Sequence, residues 1–271
     1  MSFFNKATKH DYEEIMTFLE QEKLLNFFFI GDIETYGIDS PFMPILLHKN
    51  EKELIDSIAL VYYSTLLIYD PYKLVSTNEL KDLIEKYKIK TININESVYK
   101  HFESFFNDDT NRFKIHKQTL AACDKTIYMD SNDAIKASYI HIPMIVQSRM
   151  HIDEFKDLIS NYDQELNIYQ ESYKKGVFNS FIVQKDNKVV AHAGSLIETK
   201  YVSVIGGVFC LADYRKRGYA SQCVYKLTNE IAKKGKKAVL FYNDDNHKAS
   251  KIYQKIGYKN LGNLYTISII N

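Results

Sequence analysis

The stretch that most constrains this chain runs from Gly206 to Ser221: Gly206-Gly207-Val208-Phe209-Cys210-Leu211-Ala212-Asp213-Tyr214-Arg215-Lys216-Arg217-Gly218-Tyr219-Ala220-Ser221. An apolar strand, read over residues 201–210, enters a basic turn that opens a helix over residues 218–234. Ala220, Val224, Leu227 and Ile231 recur at helical spacing, so one helix face packs on a sheet. The first turn of such a helix points unpaired backbone N–H groups and the positive end of its dipole outward. Gly218 and the small Ala220 let an anion approach that backbone closely. Arg215, Lys216 and Arg217 add charge beside it. These are the ingredients of a pyrophosphate site. The same residues also suit an ordinary helix entry with a solvated basic loop, and neither the P-loop nor the dinucleotide-binding glycine fingerprint occurs here.

A second element lies downstream. The strand Lys237-Ala238-Val239-Leu240-Phe241-Tyr242 precedes a helix read from Asn246 to Ile256. Asn246 caps it, Ala249, Ile252, Tyr253 and Ile256 share its inner face, and Gly257 ends it. Between Leu211 and Gly257 there are eleven Lys and Arg against four Asp and Glu, a local +7 in a chain whose formal charge is +1. That local excess suits a polyphosphate ligand, although Lys233 to Lys237 read as a solvated helix end.

Together the two elements resemble the GCN5-related N-acetyltransferase (GNAT) family. Arg215-x-x-Gly218-x-Ala220 matches its acyl-CoA motif. Asn246, Ala249, Tyr253, Gly257 and Tyr258 match its later Asn-Ala-Tyr-Gly-aromatic pattern, in the same order of strand, loop, helix, strand, helix, strand. The resemblance covers roughly residues 140–271. It implies an acetyltransferase that moves acetyl from acetyl-CoA, as co-substrate, to a primary amine by direct attack. It also implies site roles. The backbone of Val208, Phe209 and Cys210, at the end of a splayed fourth strand, pairs with the pantetheine arm. The N–H groups of Lys216, Arg217, Gly218, Tyr219, Ala220 and Ser221 hold the pyrophosphate, with Arg215 and Arg217 nearby, and Asn246 contacts the cofactor arm. Tyr253 is the general acid to the departing thiolate, whose reference pKa is about 8.5 for a cysteine-like thiol. Family members often carry a glutamate base on the fourth or a neighbouring strand. Here that strand has no carboxylate, which leaves Glu198 and His192 as alternatives, with a structural histidine, a turn glutamate or a water relay equally open. A non-catalytic acyl-CoA-binding regulatory protein of the same fold is the other reading.

The rest of the chain frames this unit. Of ten glycines only Gly31 and Gly37 precede residue 176, whereas all four prolines lie within the first 143 residues. Two units with different turn chemistry follow, in 271 residues long enough for both. The polar stretch 124–138 sets the boundary: residues 1–138 form an α/β domain and residues 139–271 the GNAT domain. The fold class is α/β (α+β), with mixed central sheets flanked by helices. In the first domain strands are read at 44–48, 62–69, 90–94 and 112–121, and helices at 11–25, 77–87 and 96–106; residues 54–61 fit either. In the second, 142–149 reads as a first strand, 152–161 and 165–174 as helices, and 181–191 as a hairpin about Asp186-Asn187. The first domain repeats the coarse element order, a possible tandem GNAT-like architecture. Its crossover, Leu67 to Thr77, lacks arginine and glycine, and Asp70 there would repel phosphate, so no CoA site is expected in it.

Near-neutral charge and the absence of a reading motif argue against nucleic acid. No run reaches the ~18 apolar residues of a membrane span. Three cysteines, Cys123, Cys210 and Cys223, with no secretory pattern at the N-terminus, point to a cytoplasmic chain with no metal site. Cys210 and Cys223 read as small buried hydrophobes. Monomer and homodimer remain equally open, and the acceptor amine is not legible.

Overall fold

The structure is a computed structural model that describes residues 3–155 and 161–270. In chain order its strands are β1 (Asn5–Lys6), β2 (Ile45–Lys49), β3 (Ile55–Tyr62), β4 (Thr65–Tyr69), β5 (Thr91–Asn95), β6 (Phe113–Cys123), β7 (Ile135–Lys136), β8 (Ser180–Lys185), β9 (Lys188–Glu198), β10 (Val202–Cys210), β11 (Lys237–Asn243) and β12 (Lys259–Ile269). The helices are α1 (Tyr12–Glu20), α2 (Phe27–Tyr36), α3 (Thr77–Tyr87), α4 (Glu96–Asn107), α5 (Ile142–Arg149), α6 (Tyr162–Lys174), α7 (Tyr219–Lys233) and α8 (His247–Ile256).

The chain divides into two compact units. Unit 1 comprises Met1–Leu120, Phe241–Asn246 and Asn260–Asn271, and unit 2 comprises Ala121–Leu240 and His247–Lys259. The sequence boundary at residue 138 therefore falls inside unit 2. The grouping of Asn260–Asn271 with unit 1 has a physical cause that no local pattern carries: β12 pairs antiparallel with β5, from Leu264↔Asn95 to Ser268↔Thr91. Late residues thus finish the sheet of the first unit.

Within unit 1, β1, β2, β3 and β4 pair antiparallel in sequence order and β4 pairs parallel with β5. Within unit 2, β7, β8, β9 and β10 do the same, and β10 pairs parallel with β11. In each unit two helices sit between the first and second strands and one crosses between the parallel pair. A parallel pair needs such a crossover, because a tight turn cannot return the chain to the same end. The two units thus share one element order, as the sequence echo suggested.

Local chemistry explains most elements. Ser76 caps α3 by accepting from the Glu79 N–H while the Glu79 carboxylate accepts from the Ser76 N–H, a reciprocal capping box. Leu80, Leu83 and Ile84 bury one α3 face in a core with Ile68, Ile92 and Phe102. Asp186 and Asn187, both at positive φ (49° and 58°), make the two-residue turn between β8 and β9, a conformation Asn and Asp tolerate well.

Two expectations fail here. Residues 142–149 form α5, with Pro143 in its first turn, where proline's missing N–H costs nothing. Its buried residues Ile142, Ile145 and Val146 follow helical spacing, and a short apolar run does not separate strand from helix by itself. The first strand of unit 2 is instead β7, within the stretch read as an irregular boundary. Of the helix read over 152–161, residues 153–155 form a single 3-10 turn and 156–160 lie outside the described residues.

Candidate active site

The pairing of β10 with β11 runs Val202↔Lys237, Ser203↔Ala238 and Val204↔Val239, and stops there. β10 runs on to Cys210 against β9 alone, with a bulge between Gly206 and Phe209. Gly207 takes φ +59°, in the left-handed region. A Cβ there would stand 2.9 Å from Nη1 of Arg149, a movable side-chain end, so it is the left-handed backbone that calls for glycine.

Beyond Cys210 the chain makes one 3-10 turn and then the basic loop. Lys216 and Gly218 both take positive φ, 65° and 77°. The Arg215 N–H donates to Ala212 O, and the first helical bond of α7 is Gln222 N–H to Gly218 O. Between them, the six successive N–H groups of Lys216 to Ser221 have no acceptor among the described residues, and no side chain caps the helix. Arg215 ties the loop to the strand, its Nε donating to Cys210 O at 3.1 Å. The exposed Lys216 and Arg217 form no ion pair among the described residues, and the Arg217 guanidinium stands 5.7 Å from the Tyr214 ring centroid.

The unit 1 counterpart is closed. The β4–β5 pairing also stops, at Leu67↔Asn93. In the turn that follows, however, Asp70 accepts from the Leu74 N–H at 3.0 Å, the Val75 N–H at 2.9 Å and the Ser57 hydroxyl at 2.9 Å. A carboxylate of the chain itself thus occupies the loop amides. A cavity of about 360 Å³ adjoins this turn, lined by the acids Glu22, Asp70 and Glu96 and by no basic side chain.

An acetyltransferase of the GNAT family from Colwellia psychrerythraea matches with a TM-score of 0.61 at 14% identity, over 98% of this chain and 99% of that one. A GCN5-related N-acetyltransferase from Sphaerobacter thermophilus matches with a TM-score of 0.69 at 12% identity, over 98% of this chain and 95% of that one. A tandem GNAT protein from the clavulanic acid biosynthesis pathway matches with a TM-score of 0.56 at 9% identity, over 98% of each chain.

The fold is that of the GCN5-related N-acetyltransferases. Residues 182–267 also match the family model described as FR47-like protein. A search of curated proteins finds no match.

On this GNAT scaffold the expected site residues fall into three groups. Val208, Phe209, Cys210 and the 215–221 loop lie together on one β10–α7 connection of unit 2. Tyr253 sits half-buried on α8, its ring centroid 5.8 Å from that of Tyr258, and α8 packs against α7. Asn246 is exposed and belongs to the segment grouped with unit 1; its N–H donates to Asn243 O at 2.8 Å.

The two residues considered as general base have other partners. His192 is 1% exposed. Its Nδ1 lies 2.8 Å from Gly207 O, so that nitrogen carries the proton and donates, and its Nε2 accepts from the Ser180 hydroxyl at 3.1 Å. Burial, aided by the Arg149 charge and opposed by the Gly207 carbonyl, pushes its pKa down to about 4. This neutral imidazole supports the β10 bulge. Glu198 pairs with Ser203 across the β9–β10 ladder, about seven residues and roughly 20 Å along the strand from Cys210. Burial raises its pKa, but Lys236 Nζ at 2.8 Å and Lys234 Nζ at 3.6 Å outweigh burial and hold the carboxyl below its usual range. An ionised, doubly paired carboxylate at that end of the strand has its charge already spent.

The cysteines stay protonated near neutrality. Burial raises the Cys210 thiol despite Arg215 and Arg217, and raises Cys223 further. No metal-ligating cluster occurs among the described residues.

The sequence reading missed one group. Arg149 at the end of α5, Glu165 and Tyr169 one turn apart on α6, and His192 come together beside the β10 bulge. Arg149 Nε lies 3.3 Å from Glu165 Oε2, and Arg149 Nη1 donates to Tyr169 Oη at 3.4 Å. The i, i+4 spacing of Glu165 and Tyr169 was the available signal. It does not say what the pair faces.

Proposed function

We propose that this chain transfers an acetyl group from acetyl-CoA to a primary amine by direct attack. The row of unpartnered N–H groups from Lys216 to Ser221 carries the reading. Tyr219, Ala220 and Ser221 are half-buried or buried, where amides normally have partners, and with the exposed amides of Lys216 to Gly218 they make a row on a cationic helix entry that suits a diphosphate. A coenzyme A diphosphate there directs its thioester arm along β10, past Cys210, Phe209 and Val208, where β11 no longer pairs. Arg217 and Lys216 add charge. Arg215 orders the loop.

The amine then attacks the thioester carbonyl. The new C–N bond forms as the C–S bond breaks, Tyr253 gives its proton to the departing thiolate and regains one from solvent, and the amine sheds its surplus protons. Unit 1 binds no acyl-CoA, since Asp70 already fills its loop amides and the adjoining cavity is acidic.

Calorimetry and thiol release test this together. One acetyl-CoA should bind per chain, and Tyr253→Phe should slow turnover by about 10²-fold or more while leaving acetyl-CoA affinity intact. Binding without thiol release across an amine library would favour a non-catalytic acyl-CoA-binding protein. No binding at all would remove the proposal.

A further inference from the structure

The group beside the β10 bulge is a polar cluster with hydrogen-bonding capacity left unspent. The Arg149 and Glu165 side chains are 12% and 11% exposed. Arg149 has five N–H donors. Its Nε faces Glu165 without a well-aligned hydrogen bond, and Nη1 makes one long bond to Tyr169. The guanidinium lies 4.4 Å from the Phe155 ring centroid, which holds it in place without using its donors.

Such an arrangement is poor for stability alone. Each buried polar group without a partner is costly, and an ion pair offsets its desolvation only when its remaining donors and acceptors are filled. It is a good arrangement for a ligand that brings those partners. The ligand's charge is also constrained. Arg149 and Glu165 cancel, and His192 is neutral, so the cluster has no net charge. A ligand with a single net charge would bury that charge uncompensated. A zwitterion would not: its ammonium fits Glu165 and its carboxylate fits the Arg149 fork.

We propose that this cluster is the acceptor site and that it takes a free amino acid. The inference rests on the acetyl-transfer reading above, because it places the amine beside Gly207, next to the stretch of β10 assigned to the thioester arm. Glu165 holds the ammonium and takes one proton from it. The freed nitrogen attacks the thioester carbonyl, a C–N bond forms and the C–S bond breaks. The second nitrogen proton and the proton on Glu165 leave to solvent, Tyr253 protonates the thiolate and is reprotonated, and an N-acetyl amino acid is released.

The test uses the full chain with acetyl-CoA and a panel of L-amino acids, each compared with its carboxamide and its decarboxylated amine. Thiol release gives kcat/KM, and calorimetry gives binding of acetyl-CoA and of each amino acid separately. The wild type should prefer the best amino acid over its carboxamide and its amine by at least about tenfold. Arg149→Met should raise KM for that amino acid and bring the ratio near one, with acetyl-CoA still bound. Arg149→Lys, which keeps the charge and loses the fork, should lower the ratio severalfold with its melting temperature retained, and decides the matter if the Met variant fails to fold. Equal use of carboxamides, or a preference for simple amines, overturns the inference while leaving acetyl transfer standing. Failure to bind acetyl-CoA overturns the transfer reading. In that case amino acid binding that is lost in Arg149→Lys would still support the zwitterion site, and no amino acid binding would end it.

Discussion

Burial of His192 should make unit 2 sensitive to mild acid. Its imidazole is held neutral at a pKa of about 4, against 6.5 when free. The unfolded chain therefore takes up a proton that the folded chain refuses. The stability this contributes is fully present above pH 6.5 and is lost as pH falls toward 4. A tenfold change in proton affinity is worth about 1.4 kcal/mol, so the ceiling is roughly 3 kcal/mol, of which about 2 kcal/mol disappears between pH 7 and pH 5. Asp32, pushed up to about 6 by burial, acts oppositely: its contribution is present below 3.8 and is lost as pH rises through 6. It occurs in wild type and variant alike and cancels in their difference. The assay is urea unfolding of wild type and His192→Gln at several pH values, with the unit 2 transition followed by exchange protection of β9 amides. From pH 7 to pH 5 the wild type should lose about 2 kcal/mol more than the variant. Equal losses would refute the argument, since the buried imidazole would then not be the group that titrates.

Two further outcomes follow from the loops. Gly218 holds φ +77° with nothing within 4 Å of an added Cβ, so Gly218→Ala should cost about 1–2 kcal/mol by conformation alone. Because the shift falls on the amides themselves, calorimetry should show acetyl-CoA affinity weakened by about tenfold as well. Asp70→Asn should lower the stability of unit 1 by about 1–3 kcal/mol, read by urea unfolding, with the acetyl-CoA stoichiometry still one per chain.

How much of this was legible in the sequence depended on range. The β10–α7 connection was legible because its determinants are adjacent: an apolar run, Gly218 where the backbone turns left-handed, and helical spacing from Ala220 to Ile231. The turn at Asp186 and Asn187 was legible for the same reason. α5 was not, since Ile142 to Val146 is apolar at both helix and strand spacing, and only its neighbours choose. The unit boundary was hidden because Leu264 and Asn95 meet across most of the chain. The partners of His192 and Glu198 were hidden too: a histidine's role is set by Gly207 O and Ser180 Oγ, which lie on neighbouring strands. Arg149 and Glu165 carried no motif, and only folding brings two helices and a bulge together around them.

The return of β12 to β5 has a consequence for how this protein is made. Until Leu264 to Ser268 leave the ribosome, β5 is a bare strand edge, with its N–H and C=O groups open to other chains. At ~5–20 residues per second, that exposure lasts on the order of ten to thirty seconds. The first unit to be translated is thus the last to be sealed.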